Sequence, residues 1–253
     1  MKHREILDIL LDVYSYSHAL TIAEQLDNSN SDLLFLLKMM SERRELNLDY
    51  SFQHQNRIEK IEASYHVKLL SNNIEEERLA NYLMDLEAKL ANDQLIDFVR
   101  AVSPIIYRLF YRLAQQFVPD LSDYIHNSKD YHYDSWDIEK MSQSSNPYIK
   151  KLIYKRIDSK VKSQSLLELL QYCQLSDEVQ ASVKELRRLE KTVRNPLAHL
   201  IKPFDEEELA ATTGFSSQDF MSALIVLAQE TGINYSRQPF YYDYVNQLIK
   251  TIL

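Results

Sequence analysis

Apolar positions recur three and four residues apart over most of this chain, the spacing that places them on one face of an α-helix. Ile6, Leu7, Ile9, Leu10 and Val13 make the first stripe, and 19–26 continues it. Residues 27–31 are turn-formers and capping residues ahead of a helix over 32–46, where Leu33, Leu36, Leu37 and Met40 keep the period. A further helix over 49–69 has a sparse apolar face. From 74 to 117 the pattern is continuously helical. Pro104 predicts an end or a kink there, because its ring has no N–H and clashes with the preceding turn. Segment 120–146, rich in Tyr, His, Asp and Ser, has weak periodicity and predicts a long loop with a short helix over 136–141. Helices resume over 147–161, 166–174 and 177–193, and a short one follows Pro196 through Leu200. Asp205 with Glu208 and Ser216 with Asp219 resemble capping pairs. They open helices over 205–211 and 216–230, the second closed by Gly232. A last helix spans 240–252.

Composition turns this pattern into a fold class. The chain of 253 residues has only two glycines, Gly214 and Gly232, and six prolines. So few turn-formers exclude a many-stranded sheet, a Rossmann unit and a glycine-built phosphate loop. An all-α protein follows. A lone cysteine, Cys173, permits neither a disulfide framework nor a zinc–thiolate site, and it reads as a small core residue. The N-terminal stretch is an amphipathic helix bearing Asp8 and Asp12 rather than an apolar leader. No run of about 18 apolar residues is present, so no membrane span is expected and the predicted location is cytoplasmic.

Charge changes the picture locally. The formal net charge is −8, which taken alone speaks against nucleic acid. Between Lys150 and Lys202, however, twelve Lys and Arg stand against six Asp and Glu. A basic segment in an acidic protein marks a local anion site, although two amphipathic helices with solvated lysines would give the same balance.

Within that segment Lys184, Arg187, Lys191 and Arg194 recur at spacings of three and four, a basic stripe beside the apolar one. The stripe leads into Arg194-Asn195-Pro196-Leu197-Ala198-His199. On an unbroken helix Arg194 and His199 would point about 140° apart. Asn195 is a good N-cap and Pro196 a good first helical residue, so the chain bends between them and both side chains can face one cleft. An imidazole can take the proton of a ribose 2′-hydroxyl or deliver one to a leaving oxygen. A guanidinium can clamp phosphate oxygens and stabilise charge on phosphorus. No dense carboxylate cluster adjoins the pair, so neither a metal nor any other cofactor is expected. The chemistry these groups suit is RNA cleavage by internal 2′-hydroxyl attack, with Asn195 orienting the histidine or donating to the phosphate. The same residues also fit a plain helix boundary, with a capping arginine and a partly buried histidine.

The hexad resembles the Arg-Asn-x-x-x-His motif of HEPN ribonucleases. The segment Tyr16-Ser17-His18-Ala19-Leu20-Thr21-Ile22-Ala23, with Arg43 and residues 46–50 downstream, is similar to the start of the helical region in Csm/Csx-type CRISPR ancillary ribonucleases. The resemblance implies an all-α, HEPN-type helical bundle with additional N-terminal helices, divided as 1–72 and 73–253 or continuous over 1–253. It implies a metal-independent endoribonuclease of type III CRISPR antiviral defence that cuts single-stranded RNA. Arg194, His199 and Asn195 would be catalytic and assembled from two motifs facing across a homodimer, while Lys184, Arg187 and Lys191 would hold RNA. Such enzymes also carry a Rossmann-like CARF sensor that binds cyclic oligoadenylate. This sequence has neither the strands nor the glycines for one, so the sensor is expected to be separate or missing. Competing readings are a HEPN toxin neutralised by a nucleotidyltransferase-like antitoxin, and an inert helical adaptor.

Other clusters carry less. His126, Asp130, His132, Asp134 and Asp137 crowd the polar loop but match no strong ligand spacing. Lys150, Lys151, Lys155, Arg156, Lys160 and Lys162 suit either an RNA backbone or a solvated helix face. Of the seventeen tyrosines, Tyr241, Tyr242 and Tyr244 are expected at helix contacts or a dimer interface. His18 and His66 are expected to complete packing.

Overall fold

The computed structural model describes residues 2–26, 30–126, 134–155, 158–194 and 204–253. Fourteen α-helices form among these residues, and their starts follow the capping chemistry of the sequence. Asn30 accepts from the Asp32 amide ahead of α3 (Ser31–Arg44), and Asn73 accepts from the Glu76 amide ahead of α6 (Ile74–Ala91). Asn146 accepts from two amides, with Pro147 at the first position of α9 (Pro147–Tyr154). Each such contact satisfies one of the amides a helix start leaves unpaired. The sole sheet among the described residues is a pair of two-residue antiparallel strands, β1 (Ile125–His126) and β2 (Ser135–Trp136), with Ile125 opposite Trp136. The chain is an all-α helical bundle.

The helices divide into two compact units. One comprises Met1–Gln94 with Ile233–Leu253, the other Leu95–Gly232. In the first, α1 (Lys2–Asp12), α2 (Tyr16–Ala23), α3 and the C-terminal α14 (Tyr241–Ile252) pack around Leu7, Leu11, Tyr16, Leu36, Met40, Tyr242, Val245 and Ile249, all buried. Asn246 ties α14 in. It accepts from the Tyr16 hydroxyl at 2.9 Å and donates to the Leu11 carbonyl at 2.8 Å. Arg43 lies wholly inside this unit. Its guanidinium donates to Glu77, to the Leu69 carbonyl and to Asn81 at 2.7, 2.9 and 3.2 Å, and it sits 4.8 Å from the Tyr241 ring centroid. A buried charge is tolerated because every listener is polar and close.

In the second unit α7 (Leu95–Gln115) contributes Phe98, Val99, Val102, Ile105, Ile106, Leu109, Phe110 and Leu113 to the core. Against it pack α10 (Ser163–Leu170) and α13 (Ser217–Glu230), and α13 also lies along α11 (Asp177–Leu189). Trp136 is buried here, its indole donating to the Ser165 hydroxyl at 3.2 Å. α8 (Ile138–Gln143) and α12 (Glu206–Thr213) complete the unit's helices.

Several elements differ from the sequence expectation. Segment 49–69 holds two helices, α4 (Asp49–Gln53) and α5 (Gln55–Tyr65). His54 stands between them, its ring 4.3 Å from that of Tyr50, and His66 ends α5 in the left-handed conformation. The run 74–117 is also two helices, separated where Asp93 adopts φ 57° after the Asn92 cap. Pro104 does not end α7. It is exposed inside the helix, where the missing N–H faces away from the core. His18 is exposed and bonds the Ser15 hydroxyl at 2.9 Å rather than filling the core. Cys173 is buried as expected, and burial pushes its thiol up to about 11. The short helix read over 196–200 lies outside the described residues.

Candidate active site

Helix α11 starts at Ser176, whose hydroxyl accepts from the Val179 amide. Val179, Val183, Leu186 and Leu189 bury one face. Lys184 and Lys191 stand exposed on another, with Arg187 half-buried beside them. The α-helical register stops at Leu189. The next five residues, Glu190–Arg194, form a π-helical segment that also buries Val193. Pro196 has no N–H to return to the Thr192 carbonyl, so a regular i to i−4 ladder cannot be continued through it. Thr192 contributes as well, its hydroxyl donating to the Arg188 carbonyl at 2.7 Å. The sequence predicted a change of direction at Asn195-Pro196; the change of helical register comes earlier, from Glu190. π-Helical turns are concentrated at functional sites because they alter the rotation at which following side chains emerge.

An open groove of about 510 Å³ runs beside this segment. Ser103, Pro104, Tyr107 and Arg108 of α7 form one wall, and Ser163 and Gln164 at the start of α10, preceded by Lys162, form another. Arg187 and Glu190 close it. Arg187 is held from two sides, its Nε donating to Gln164 at 2.9 Å and its Nη1 to the Glu190 carboxylate at 3.0 Å. The same Glu190 oxygen accepts from the Ser163 hydroxyl. Arg187 thus braces α11 against α10. Arg108, by contrast, is exposed, with its guanidinium 5.8 Å from the Tyr107 ring centroid. The Tyr107 hydroxyl donates to Asp134 at 2.7 Å, and burial followed by that carboxylate holds the phenol well above its ordinary range.

Of the residues chosen from sequence, Lys184 and Lys191 present their side chains to solvent and Arg187 lines the groove. The backbone of Arg194 ends the π-helical segment. Asn195, His199 and the side chain of Arg194 lie outside what is described. Sequence reasoning missed Ser163, Gln164 and Glu190 as partners of Arg187. The spacing of three between Arg187 and Glu190 was the available signal; the link to Gln164 is tertiary and had none. Among the second set of lysines, Lys162 reaches the groove, while Lys151 and Lys155 gather at the Tyr172 ring, 5.5 and 5.3 Å from its centroid. His126 pairs with Asp137 at 3.7 Å, and Asp130, His132 and Arg156 fall outside the described residues. Among the described residues no three His, Cys, Asp or Glu side chains gather as a metal site, and no helix is long and apolar enough to cross a membrane.

Comparison with known proteins adds two findings. The family model described as the Cas_Csm6 HEPN domain matches residues 68–250. Among solved structures, Enterococcus italicus Csm6 bound to cyclic hexa-2′-fluoro-hexa-dAMP is similar at a TM-score of 0.74 and 16% identity. That match covers 99% of this chain and 57% of the other, so the present chain spans little more than half of that relative's length. No curated protein matches.

Proposed function

Since the chain belongs to the Csm6 HEPN family, we propose that it is a metal-independent endoribonuclease of type III CRISPR defence, cutting single-stranded RNA at a site built from Arg194 and His199. One observation carries this reading. A helix with an exposed basic face changes to π register at Glu190 and ends on Arg194, the first residue of the Arg-Asn-x-x-x-His hexad, inside the span the family model matches. The proposed step is attack of a ribose 2′-oxygen on the adjacent phosphorus. The new O2′–P bond forms as the P–O5′ bond breaks, leaving a 2′,3′-cyclic phosphate and a 5′-hydroxyl. One imidazole accepts the 2′-proton and a second protonates O5′. Arg194 stabilises the charge gathering on the non-bridging oxygens, and Asn195 orients the histidine or the phosphate.

Two imidazoles are needed for the two proton transfers, and one chain offers one hexad. The reading therefore includes a homodimer in which two hexads face each other, with Lys184 and Lys191 as strand contacts. The division of the chain at 72/73 belongs to the same proposal. So does activation by a cyclic oligoadenylate acting through a CARF sensor, the class of ligand present in the Enterococcus italicus structure.

The test is cleavage of an unstructured RNA oligonucleotide in excess chelator by the wild type, His199→Ala and Arg194→Ala. Wild-type cleavage that persists in chelator and yields cyclic-phosphate ends is the expected result. Loss of the imidazole should lower kcat by roughly 10²–10⁴, and loss of the guanidinium by about 10²–10³. Equal cleavage by all three proteins, or no cleavage by a verified dimer, rejects the assignment and leaves a toxin of other specificity or an inert adaptor.

A further inference from the structure

The groove beside the π-helical segment holds more cationic groups than the hexad needs. Arg108, Lys162 and Arg187 line it against a single carboxylate, Glu190, which is already engaged by Arg187 and Ser163. The three cations differ in availability. Arg187 is spoken for twice over, by Gln164 and by Glu190. Lys162 is exposed and pairs with Asp158, itself exposed, four residues before it. A solvent-exposed pair of this kind is weak and yields readily to a phosphate. Arg108 is exposed, and its one recorded neighbour is the face of Tyr107. The Ser103 hydroxyl, also on the groove wall, is buried without a hydrogen-bond partner.

A channel of about 510 Å³ with two available cations, an aromatic ring and an unsatisfied hydroxyl has the chemistry that tracks a single-stranded nucleic-acid backbone. Its far wall, Glu190, is the first residue of the segment that delivers Arg194. We propose that this groove is the approach track for single-stranded RNA, in which Arg108 and Lys162 contact backbone phosphates flanking the one that is cut. Arg187, although on the basic stripe, is a positioning residue here: it fixes Glu190 and the start of α10 and leaves the phosphates to its two neighbours. This inference rests on the ribonuclease reading and adds the substrate's path to it.

The experiment uses the full chain carrying His199→Ala, so that RNA stays intact, and measures binding of a fluorescent 20-nucleotide unstructured RNA across a salt series. Arg108→Ala and Lys162→Ala should each weaken binding by about fivefold to tenfold, and the double variant by the product. Each should flatten the slope of log K against log salt by about 0.7, the counterion release of one single-strand phosphate contact. Lys60→Ala, on α5, should leave both quantities unchanged. With His199 restored, Arg108→Ala should raise KM with kcat within about twofold, because the contact binds ground and transition states alike. Arg108→Lys should recover most of the salt slope. Unchanged affinity and slope in Arg108→Ala and Lys162→Ala, while the wild type binds and cleaves RNA, overturns the track and leaves the catalytic assignment standing. A wild type that neither binds nor cleaves RNA removes the ribonuclease reading itself.

Discussion

Arg43 shows how much a single side chain can organise. It is fully buried, donates to a carboxylate, an amide and a backbone carbonyl, and stacks on Tyr241. Truncation to alanine strands the Glu77 carboxylate, which is itself 1% exposed, among apolar neighbours. Arg43→Ala should therefore lower unfolding free energy by about 3–5 kcal/mol in chemical denaturation. Arg43→Met with Glu77→Leu should cost far less, because it removes both charges together. A double variant as unstable as the single one would show that packing volume, not the stranded charge, sets the penalty. Sequence offered only the coincidence of Arg43 within a stretch similar to a family's helical region. Its burial depends on Glu77 and Leu69, 34 and 26 residues away, which periodicity does not connect.

At the scale of elements, most helices were legible because their signals are local: capping residues such as Asn73, Ser176 and Ser216, and apolar stripes three and four apart. Three features were not. The break at Asp93 rests on a single left-handed residue, with neither glycine nor proline to announce it. The short strand pair at Trp136 is held by burial of that indole rather than by alternation. Pro104 was read as a boundary, yet its helix continues because ten buried residues of α7 outweigh one lost hydrogen bond. That lost bond is recoverable. Pro104→Ala restores an N–H that can reach the Arg100 carbonyl, and should raise stability by roughly 1–3 kcal/mol. Thermal unfolding of the variant checks this, and a lower midpoint would mean that α7 is shaped around the ring. The candidate site was legible by composition, in the basic stripe and the hexad. The groove beside it was not, because α7, α10 and α11 meet there from positions more than eighty residues apart.

At the scale of the whole molecule, the proposed dimer has a consequence that follows from symmetry. If each catalytic centre draws one imidazole from each of two chains, a single defective chain disables a dimer. Refolding the wild type with growing proportions of His199→Ala should then lower activity as the square of the wild-type fraction. A linear decline would place a complete centre in each chain. Either curve is readable without knowing the sensor or its ligand. The 183 residues from 68 to 250 that match the family model include residues of both compact units, so inheritance and compactness do not partition this chain alike.

The π-helical segment bears on how such a site tolerates change over evolutionary time. A π turn is geometrically an α-helix that has absorbed one additional residue. Glu190–Arg194 therefore acts as a phase shifter between the rigid rod of α11 and the hexad. Side-chain substitutions along the rod alter affinity by degrees. Loss of one residue within the segment would instead turn everything downstream by about 100°. The hexad would survive letter for letter while its aim was lost. In this family, then, the count of residues between Leu189 and Arg194 is as much a part of the catalytic signature as the identities of Arg194 and His199.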